Sequence, residues 1–441
     1  MPVPLPIRLA LAVLLLTPAL SARAQTPAPA GWTLDEAFRR VIANHPNVLQ
    51  AIAKAQSARA QVGVARNAWL PTATLDMNHQ EATGNVPSAP GASYGLNPFW
   101  SGSLVSKWVA WDFGKTTANM DAADANVMAA DQDLRAAKVQ LWSALAQGWV
   151  AVMAADAALA VYQAALAQLE RTRDAVREQV GVRARPELDL FKAEADVASA
   201  QGDLLRAEEL ARSQRLALAV ALAEPHIPPG PLAPPVFDTQ TLDAGALDDD
   251  ARLDQLTALA IQDRPEFASI RAHIAALELL QRAAERAVRP NVYVSGQASA
   301  TGGDLAGLAV NYGVTVGLSF PLSTVWTQPP LITDAGAQVR ALVASQDAQI
   351  LTLRGQINQA ITSLVQARKR LPVAVAQAGY AEKAWNAATL RYKAGAGLYL
   401  DVADAESNLV KAKLAVVQAQ LDVQAAVAQL AYLMGRVLPQ P

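Results

Sequence analysis

The sequence predicts a mixed α and β protein built from one structural unit that occurs twice along 441 residues. The first observation is that Pro46 and Pro71 recur as Pro265 and Pro290, at an offset of 219. The second is an alternation of small polar and apolar residues after each second proline, which is typical of strands. The third is a seven-residue repeat in the last helix of each copy. Because a unit of roughly 200 residues is much longer than a solenoid repeat, each copy must hold several elements.

The bulk composition excludes several classes of function. Apolar residues make up 52% of the chain and aromatic residues only 5%, so small aliphatic side chains dominate and favour closely packed helices. The net charge of −2 provides no electrostatic basis for binding nucleic acid. The chain has no cysteine, which excludes disulfides, cysteine metal sites and an acylated N-terminal cysteine.

Residues 1–24 are predicted to be a secretory signal peptide. Arg8 precedes an apolar stretch, Leu9–Leu20, and Ala22-Arg23-Ala24 has the form of a cleavage site. The apolar stretch is shorter than the ~20 residues that a membrane-spanning helix needs. No uninterrupted apolar run of that length follows, so any membrane crossing by the mature chain is predicted to use strands.

Each copy is predicted to begin with two helices. Thr33 and Glu36 form a capping box, which places the first helix start at Thr33. Pro46 opens a second, alanine-rich helix that should end before Pro71. The second copy is expected to repeat this pair from about Leu253 and Pro265.

Four strands are predicted, over residues of about 70–79, 101–111, 290–300 and 310–321. The clearest alternation places Tyr312, Val314, Val316, Leu318 and Phe320 against Asn311, Gly313, Thr315, Gly317 and Ser319. Strands of about ten residues with small polar side chains on one face suit a membrane β-barrel with a wet lumen. A soluble pair of hairpins packed on a helix would alternate in the same way. The pattern alone leaves both architectures open.

A long helical hairpin is predicted after each strand pair, over about 115–223 and about 332–434. Thr116–Val180 and Asp334–Ala394 are long enough for rods of roughly 90–100 Å. The returning helix of the second copy has a heptad seam formed by Val402, Leu409, Val416, Val423 and Leu430 with Ala405, Ala412, Ala419, Ala426 and Leu433. A seam over five heptads indicates a coiled coil. A Pro-rich connector, residues 226–251, separates the predicted first repeat, 25–225, from the second, 252–441.

No constellation for catalysis or metal binding is found in the sequence. The four histidines are not spaced three or four residues apart, as a helical metal site would require. Neither a nucleophile elbow nor a phosphate-binding loop occurs. The sequence therefore predicts a protein that is not an enzyme and has no cofactor and no metal.

The turns of the two long hairpins share a pattern. Arg177 and Gly181 in the first copy correspond to Arg391 and Gly395 in the second, and the glycines are expected to supply the helix-ending conformation. Aspartates follow each turn, at 189, 401 and 404. Asp189, Asp401 and Asp404 could simply complement the dipole at a helix start, or they could have a function at the tip.

These elements, in this order in both copies, resemble the TolC-like outer-membrane efflux proteins over about residues 32–437. Trp111-Asp112-Phe113-Gly114-Lys115 is similar to that family's motif at the exit of the barrel. Phe320-Pro321-Leu322 is similar to its counterpart in the second copy. The segment 395–405 is similar to the hairpin that forms the periplasmic entrance.

The resemblance implies a homotrimer in the outer membrane, with a large periplasmic part. Three chains would contribute four strands each to a 12-stranded β-barrel in contact with outer-membrane lipid, and their helices would form a long coiled-coil α-barrel. The family acts as the passive exit duct of a tripartite efflux or secretion pump, with a periplasmic adaptor and an inner-membrane transporter as partners. Four strands alone could not close a barrel, and lipid does not tolerate open sheet edges. The missing cysteine implies that the chain is not lipid-anchored.

The resemblance also implies a gate at the periplasmic tip. Asp401 and Asp404 match aspartates that ring the pore, Tyr392 matches the tyrosine of the constriction, and Asp189 matches the aspartate that hydrogen-bonds this tyrosine. One position departs from the family pattern, because Gly397 stands where the family's best-known member has an arginine. The latch is therefore expected to be incomplete or to use Lys393 instead.

Two alternative functions remain compatible with the coiled-coil pattern. One is a periplasmic coiled-coil adaptor, and the other is a coiled-coil scaffold or adhesin that forms no channel. The duplicated hairpin and the two strand pairs favour the channel.

Overall fold

The computed structural model describes residues 32–83, 96–224, 230, 232–235, 250–303 and 307–435. The predicted signal peptide and most of the Pro-rich connector lie outside these residues. In chain order the elements are α1 (Leu34–Val41), α2 (Pro46–Arg66), β1 (Thr72–Thr83), β2 (Leu96–Trp111), α3 (Lys115–Gly181), α4 (Glu187–Ala221), α5 (Asp250–Asp263), α6 (Pro265–Arg286), β3 (Asn291–Gly302), β4 (Ala309–Ser319), α7 (Thr324–Lys393) and α8 (Tyr399–Leu433).

The helix starts follow the predicted local signals. Thr33 caps α1 through two hydrogen bonds with Glu36. The Thr33 backbone N–H donates to Glu36 Oε2 at 3.3 Å, and the Glu36 backbone N–H donates to Thr33 Oγ1 at 3.3 Å. Pro46 is the first residue of α2, where its missing N–H would have had no helical partner in any case. Pro265 opens α6 in the same way. The predicted helix starts at the prolines are therefore confirmed.

The four strands form one antiparallel sheet in the order β1-β2-β3-β4. The central β2–β3 pairing joins the strands of the two copies, with one irregularity between Val109 and Trp111. The register aligns rows across all four strands. One apolar row consists of Leu75, Leu104, Ala298 and Tyr312, and the next row, on the opposite face, consists of Asp76, Ser103, Ser299 and Asn311.

The apolar face of this sheet is not covered by the described part of the chain. Tyr312, Val314 and Val316 on β4 are 87%, 79% and 72% exposed, and Met77 on β1 is 79% exposed. A soluble sheet would pack such a face on a core. The sheet therefore fits a lipid-facing wall and not a soluble hairpin pair packed on a helix.

The helices form two long antiparallel hairpins, α3–α4 and α7–α8. Helix α3 has 67 residues and α7 has 70, whereas the returning helices α4 and α8 have 35 each. The heptad residues of α8 are all buried or half-buried, which confirms the predicted seam. Helix α7 begins at Thr324, ten residues before the predicted Asp334, because the helix accommodates Pro329 and Pro330 near its start.

The main apolar cores lie midway along the long helices. One core is centred on Trp149 and Leu145 of α3, and α1, α2, α4 and α8 pack on it. The other joins α5 and α6 to α7 and α8. The Trp149 indole N–H donates to the Ala233 carbonyl oxygen at 2.9 Å, which attaches a piece of the connector to this core. The short helices therefore form a belt around the rods.

Helix α3 contains one stretch that is long and apolar enough to cross a membrane, judged by length and composition. Charged and polar residues interrupt this stretch, so the expectation that no uninterrupted apolar run of that length follows the leader is not contradicted. The helix carries Trp149 and Val152, which are fully buried against neighbouring helices. Only 17% of the stretch itself is buried within this protomer, and one such helix does not by itself indicate a membrane span.

Candidate functional site

The two hairpins end in turns of the same geometry, but the left-handed residue differs. Gly395 has φ +79°, as predicted, whereas Gly181 is the last helical residue of α3 and the left-handed residue is Arg183, with φ 59°. The prediction for Gly181 was therefore wrong. Arg183 and Gly395 are 212 residues apart, the offset that also relates Asp189 to Asp401. The Arg-x-x-x-Gly pattern pairs Gly181 with Gly395, whereas the structure pairs Arg183 with Gly395, so the pattern aligns the two turns two residues away from the correct position.

Tyr392, in the last turn of α7, joins the two hairpins near their tips. Its hydroxyl group donates a hydrogen bond to Asp189 Oδ2 of α4 at 3.3 Å. The side chain is only 5% exposed and belongs to a small apolar cluster. The other buried members are Val176, Ala193, Tyr399 and Val402. Burial, and then the Asp189 carboxylate, raise the pKa of Tyr392 to about 12, so the phenol remains a donor at physiological pH.

Arg185 makes a second and stronger connection at the same place. This residue lies in the α3–α4 turn, and its Cζ stands 4.2 Å from the centre of the Tyr392 ring. Its guanidinium group donates to the carbonyl oxygen of Tyr392 and, at 3.4 Å, to that of Gly397. Hydrogen bonds from a charged donor and the stacking on an aromatic ring reinforce each other. Arg185 therefore holds the turn of the α7–α8 hairpin against the first hairpin.

Arg185 was not among the residues predicted for the tip, although the internal repeat contained the signal. Arg185 and Gly397 are 212 residues apart, so they occupy equivalent positions in the two turns. Arg185 of the first copy thus contacts the backbone of the second copy's turn at Gly397, the position that departs from the family pattern. A Cβ atom at Gly397 would lie 3.2 Å from the Tyr392 backbone nitrogen, so a side chain there would be crowded. Lys393, the substitute considered above, is exposed.

A further tyrosine bonds the hairpins about two helical turns along α4 from Asp189. Tyr399, in the first turn of α8, donates to Asp196 Oδ2 of α4 at 2.8 Å. Its ring lies edge-on to that of Tyr392, with centroids 6.0 Å apart. Burial and the Asp196 contact raise the pKa of Tyr399 strongly. Two tyrosine–aspartate pairs therefore connect α4 to the second hairpin.

The remaining predicted tip residues lie on the surface of this protomer. Asp401 and Asp404 are exposed and one helical turn apart on α8, and Asp401 Oδ2 accepts a 3.4 Å hydrogen bond from the Leu398 backbone N–H. Asp401 thus has a capping contact in addition to any pore role. Arg177 Nη2 donates to Glu194 Oε1 at 3.0 Å, and Arg391 is exposed in the last turn of α7.

The motif at residues 111–115 forms the junction between sheet and helix. Trp111 ends β2, Lys115 begins α3, and Phe113 and Gly114 between them have φ 55° and 85°. The Asp112 side chain is buried, at 4% exposure. Its carboxylate accepts from the Gly114 N–H at 3.1 Å and from the Thr116 N–H at 2.7 Å. The aspartate therefore caps the first turn of α3 and fixes the direction in which the helix leaves the strand.

Arg286 of α6 also contacts this junction. Its Nη1 donates to the Gly114 carbonyl oxygen at 2.8 Å, and a Cβ at Gly114 would approach the same nitrogen to 2.9 Å. Both the left-handed conformation and this close approach favour glycine at 114. The second copy thereby braces the strand–helix junction of the first.

We expect Asp112→Ala to destabilise the junction by about 1–2 kcal/mol, because a buried helix cap is lost and two N–H groups are left without an acceptor. The midpoint of thermal unfolding in detergent should fall. Asp121→Ala is the matched control, since Asp121 is exposed on the same helix and should leave the midpoint unchanged. Equal midpoints for the two variants would contradict the capping role.

The described residues contain no group of three or more histidine, aspartate or glutamate side chains able to hold a metal ion. The contacts at the tip instead join the two helical hairpins. A tyrosine hydroxyl, an arginine stack and carbonyl acceptors can all be exchanged for water when the hairpins separate.

Comparisons with known proteins identify the family. Residues 37–224 and 256–436 match the family described as outer membrane efflux protein. No curated protein sequence matches the chain. The fold is similar to that of the CmeC outer membrane channel of Campylobacter jejuni, at TM-score 0.78 and 17% identity over 94% of this chain and 90% of that one.

Two more solved structures have the same fold. The outer membrane protein VceC of Vibrio cholerae matches at TM-score 0.74 and 20% identity, over 91% of this chain and 96% of that one. The open state of the MtrE outer membrane channel of Neisseria gonorrhoeae matches at TM-score 0.75 and 21% identity, over 94% of each chain. The predicted mixed α and β fold is confirmed, and the family and its neighbours are channels. The chain therefore belongs to the outer membrane efflux protein family, which supports the predicted outer-membrane protein and not the periplasmic adaptor or the scaffold.

Proposed function

We propose that three copies of this chain close a 12-stranded barrel in the outer membrane and form the passive exit duct of a tripartite efflux or secretion pump. The observation that carries this proposal is the four-stranded sheet, with an uncovered apolar face and β1 and β4 at its edges. Backbone groups at an open edge have no partners in lipid, so β4 of one copy must pair with β1 of the next. Three copies of the four-stranded sheet give twelve strands, which is the number in the barrel that the resemblance implies.

The long hairpins would continue this barrel as a periplasmic tube. Helices α3 and α7, at 67 and 70 residues, are roughly 100 Å long at 1.5 Å per residue. They leave the sheet at Lys115 and Thr324, so both hairpins run away from the same end of the strands. This geometry supports a large periplasmic part in which the four hairpin helices of each copy would lie in one wall.

The gate is proposed to lie at the far end of the tube. In a trimer, Asp401 and Asp404 would each form a ring of three carboxylates. The six carboxylates together would favour cations in a narrow opening. Tyr392, Asp189 and Arg185 would hold the α7–α8 hairpin inward in the closed state. Opening would break these contacts and move the second hairpin relative to the first.

The partners proposed for this duct are a periplasmic adaptor and an inner-membrane transporter. The family membership supports them, and the tips offer suitable surface, because Val182, Leu188 and Leu398 expose apolar side chains on both turns. Contact of an adaptor with these turns would act directly beside Arg185. Transport through the duct would then use energy supplied by the transporter.

The proposal is tested with the purified full-length chain. The mass of the detergent complex should correspond to three chains, the protein should remain with outer membranes after carbonate washing, and planar bilayers should show discrete cation-selective conductance steps. A stable single subunit that conducts no ions would contradict the duct. Release by carbonate would instead indicate a peripheral protein.

A further inference from the structure

A cavity of about 260 Å³ lies between the two hairpins, above the latch contacts of Tyr392. Three helices line it, α3 with Tyr162, α4 with Asp196 and Ser199, and α8 with Glu406 and Lys411. The cavity therefore occupies the surface along which one hairpin would slide on the other. Its lining combines these polar side chains with alanine, leucine and valine, whereas the heptad seam of α8 contains only the aliphatic residues.

Glu406 is the feature of this cavity that packing does not explain. The residue is only 3% exposed, and neither carboxylate oxygen has a hydrogen-bond partner among the described residues. The Trp385 indole N–H of α7 is the polar group that faces this carboxylate, and its hydrogen bonding lowers the pKa of Glu406, although the pair lies outside normal hydrogen-bond geometry. An ionised carboxylate in such a place is costly, whereas a neutral carboxylic acid is tolerated.

The charged groups around Glu406 have opposing effects. Burial raises its pKa most, to about 7, and the nearby Asp196 carboxylate adds to this effect. Arg171 of α3 and Lys413 of α8 act in the opposite direction. Asp196 is itself occupied by the Tyr399 hydroxyl group at 2.8 Å.

Two further charged residues, Asp203 and Lys411, line the same cavity. Asp203 is paired with Arg206 on its own helix. Among the carboxyl groups that line this cavity, that of Glu406 is the one with neither an ion pair nor a hydrogen bond of normal geometry to the described residues.

We propose that Glu406 is a proton-binding switch for the gate, which rests on the duct function proposed above. With a proton on Glu406, the carboxyl group is neutral and the hairpins pack closely. Without it, the buried charge draws water into the cavity and favours the state in which the hairpins have separated. Acid would therefore stabilise the closed channel.

The direction and size of the effect follow from linkage. The ordinary pKa of 4.5 applies when the open channel exposes Glu406 to water, and the closed-state value is about 7. The closed state is therefore fully stabilised below the lower value and loses this stabilisation as pH rises towards the upper one. At most, the opening equilibrium rises tenfold per pH unit, or about 300-fold over the window.

The test measures the open probability of single trimers in planar bilayers between pH 4.5 and 8. The wild-type trimer should open more often as pH rises, with most of the change between about pH 5 and pH 7. Glu406→Gln keeps the shape and removes the charge, so its open probability should stay near the acid level of the wild type. Rings of Asp401 and Asp404 are the same in both proteins, so the difference between the two curves isolates Glu406.

Two further variants keep the test decisive. Asp196→Asn retains an acceptor for Tyr399 and removes the charge that raises the pKa of Glu406, so the transition should shift to lower pH even if Glu406→Gln does not assemble. Glu382→Gln is the control, because Glu382 is an exposed carboxyl on α7 and should leave the wild-type curve unchanged. Coincident curves for wild type, Glu406→Gln and Asp196→Asn would overturn the switch.

A structural measurement separates failure of the switch from failure of the duct. The chain has no cysteine, so Gln201→Cys on α4 and Asn408→Cys on α8 can carry two unique spin labels. The distance between the labels should lengthen as pH rises in the wild-type background and should be constant with Glu406→Gln. Conductance without any pH-dependent distance change would reject the switch alone, whereas trimers that never conduct at any pH would reject the duct.

Discussion

Arg185→Ala is expected to open the channel. The substitution removes the stack on the Tyr392 ring and both donations to carbonyl oxygens, so the α7–α8 turn loses its charged anchor. Hydrogen bonds to a charged group contribute about 1.5–3 kcal/mol, and 1.4 kcal/mol is a factor of ten. Open probability in planar bilayers should therefore rise at least about tenfold at neutral pH.

Lys393→Ala is the matched control for this prediction. Lys393 is a cation next to Tyr392 in sequence, but it points to solvent, so its removal should leave the open probability unchanged. Tyr392→Phe should have a smaller effect than Arg185→Ala, because it removes one neutral donor to Asp189 and keeps the ring. If Lys393→Ala opened the channel and Arg185→Ala did not, the latch would belong to Lys393.

Val314→Arg is expected to prevent stable insertion, whereas Thr315→Arg should be tolerated. Val314 lies in the middle of β4 on the exposed apolar face, and its neighbour faces the other side of the sheet. An arginine on the lipid face near the bilayer midplane costs about 2–4 kcal/mol for each copy, so a trimer would bear it three times. A guanidinium group in a wet lumen remains hydrated.

The measurement is the fraction of refolded protein that resists protease in lipid vesicles. It should collapse for Val314→Arg and stay near the wild-type fraction for Thr315→Arg. This pair also separates the two architectures that the alternating pattern left open. If the exposed face of β4 were a water-facing surface, arginine would be equally acceptable at both positions.

The sequence contained most of the fold because the deciding signals are local. Proline positions set the starts of α2 and α6, the capping box set the start of α1, and the heptad seam set the face of α8. Helix α7 was predicted to start ten residues too late, after Pro329 and Pro330, which the helix in fact contains. Near the beginning of a 70-residue helix, the bonds gained downstream outweigh two missing donors.

The contacts between copies could be predicted only in part. The Tyr392–Asp189 pair followed from resemblance, but Arg185 was overlooked, since its partners lie more than 200 residues away in the sequence. Gly181 was assigned the helix-ending conformation because glycine prefers it, and the structure gives that conformation to Arg183. The burial of Glu406 was also not predicted, because the heptad positions around it are occupied by aliphatic residues and its own position is not one of them.

The sheet described above has a consequence for biogenesis. Before its neighbours arrive, a newly exported subunit presents two strand edges and a band of aliphatic side chains to the aqueous periplasm. Edges of this kind recruit any other extended chain. Correct oligomerisation must therefore outpace aggregation, and the yield of functional pores should fall when the chain is overproduced faster than it can be delivered to the membrane.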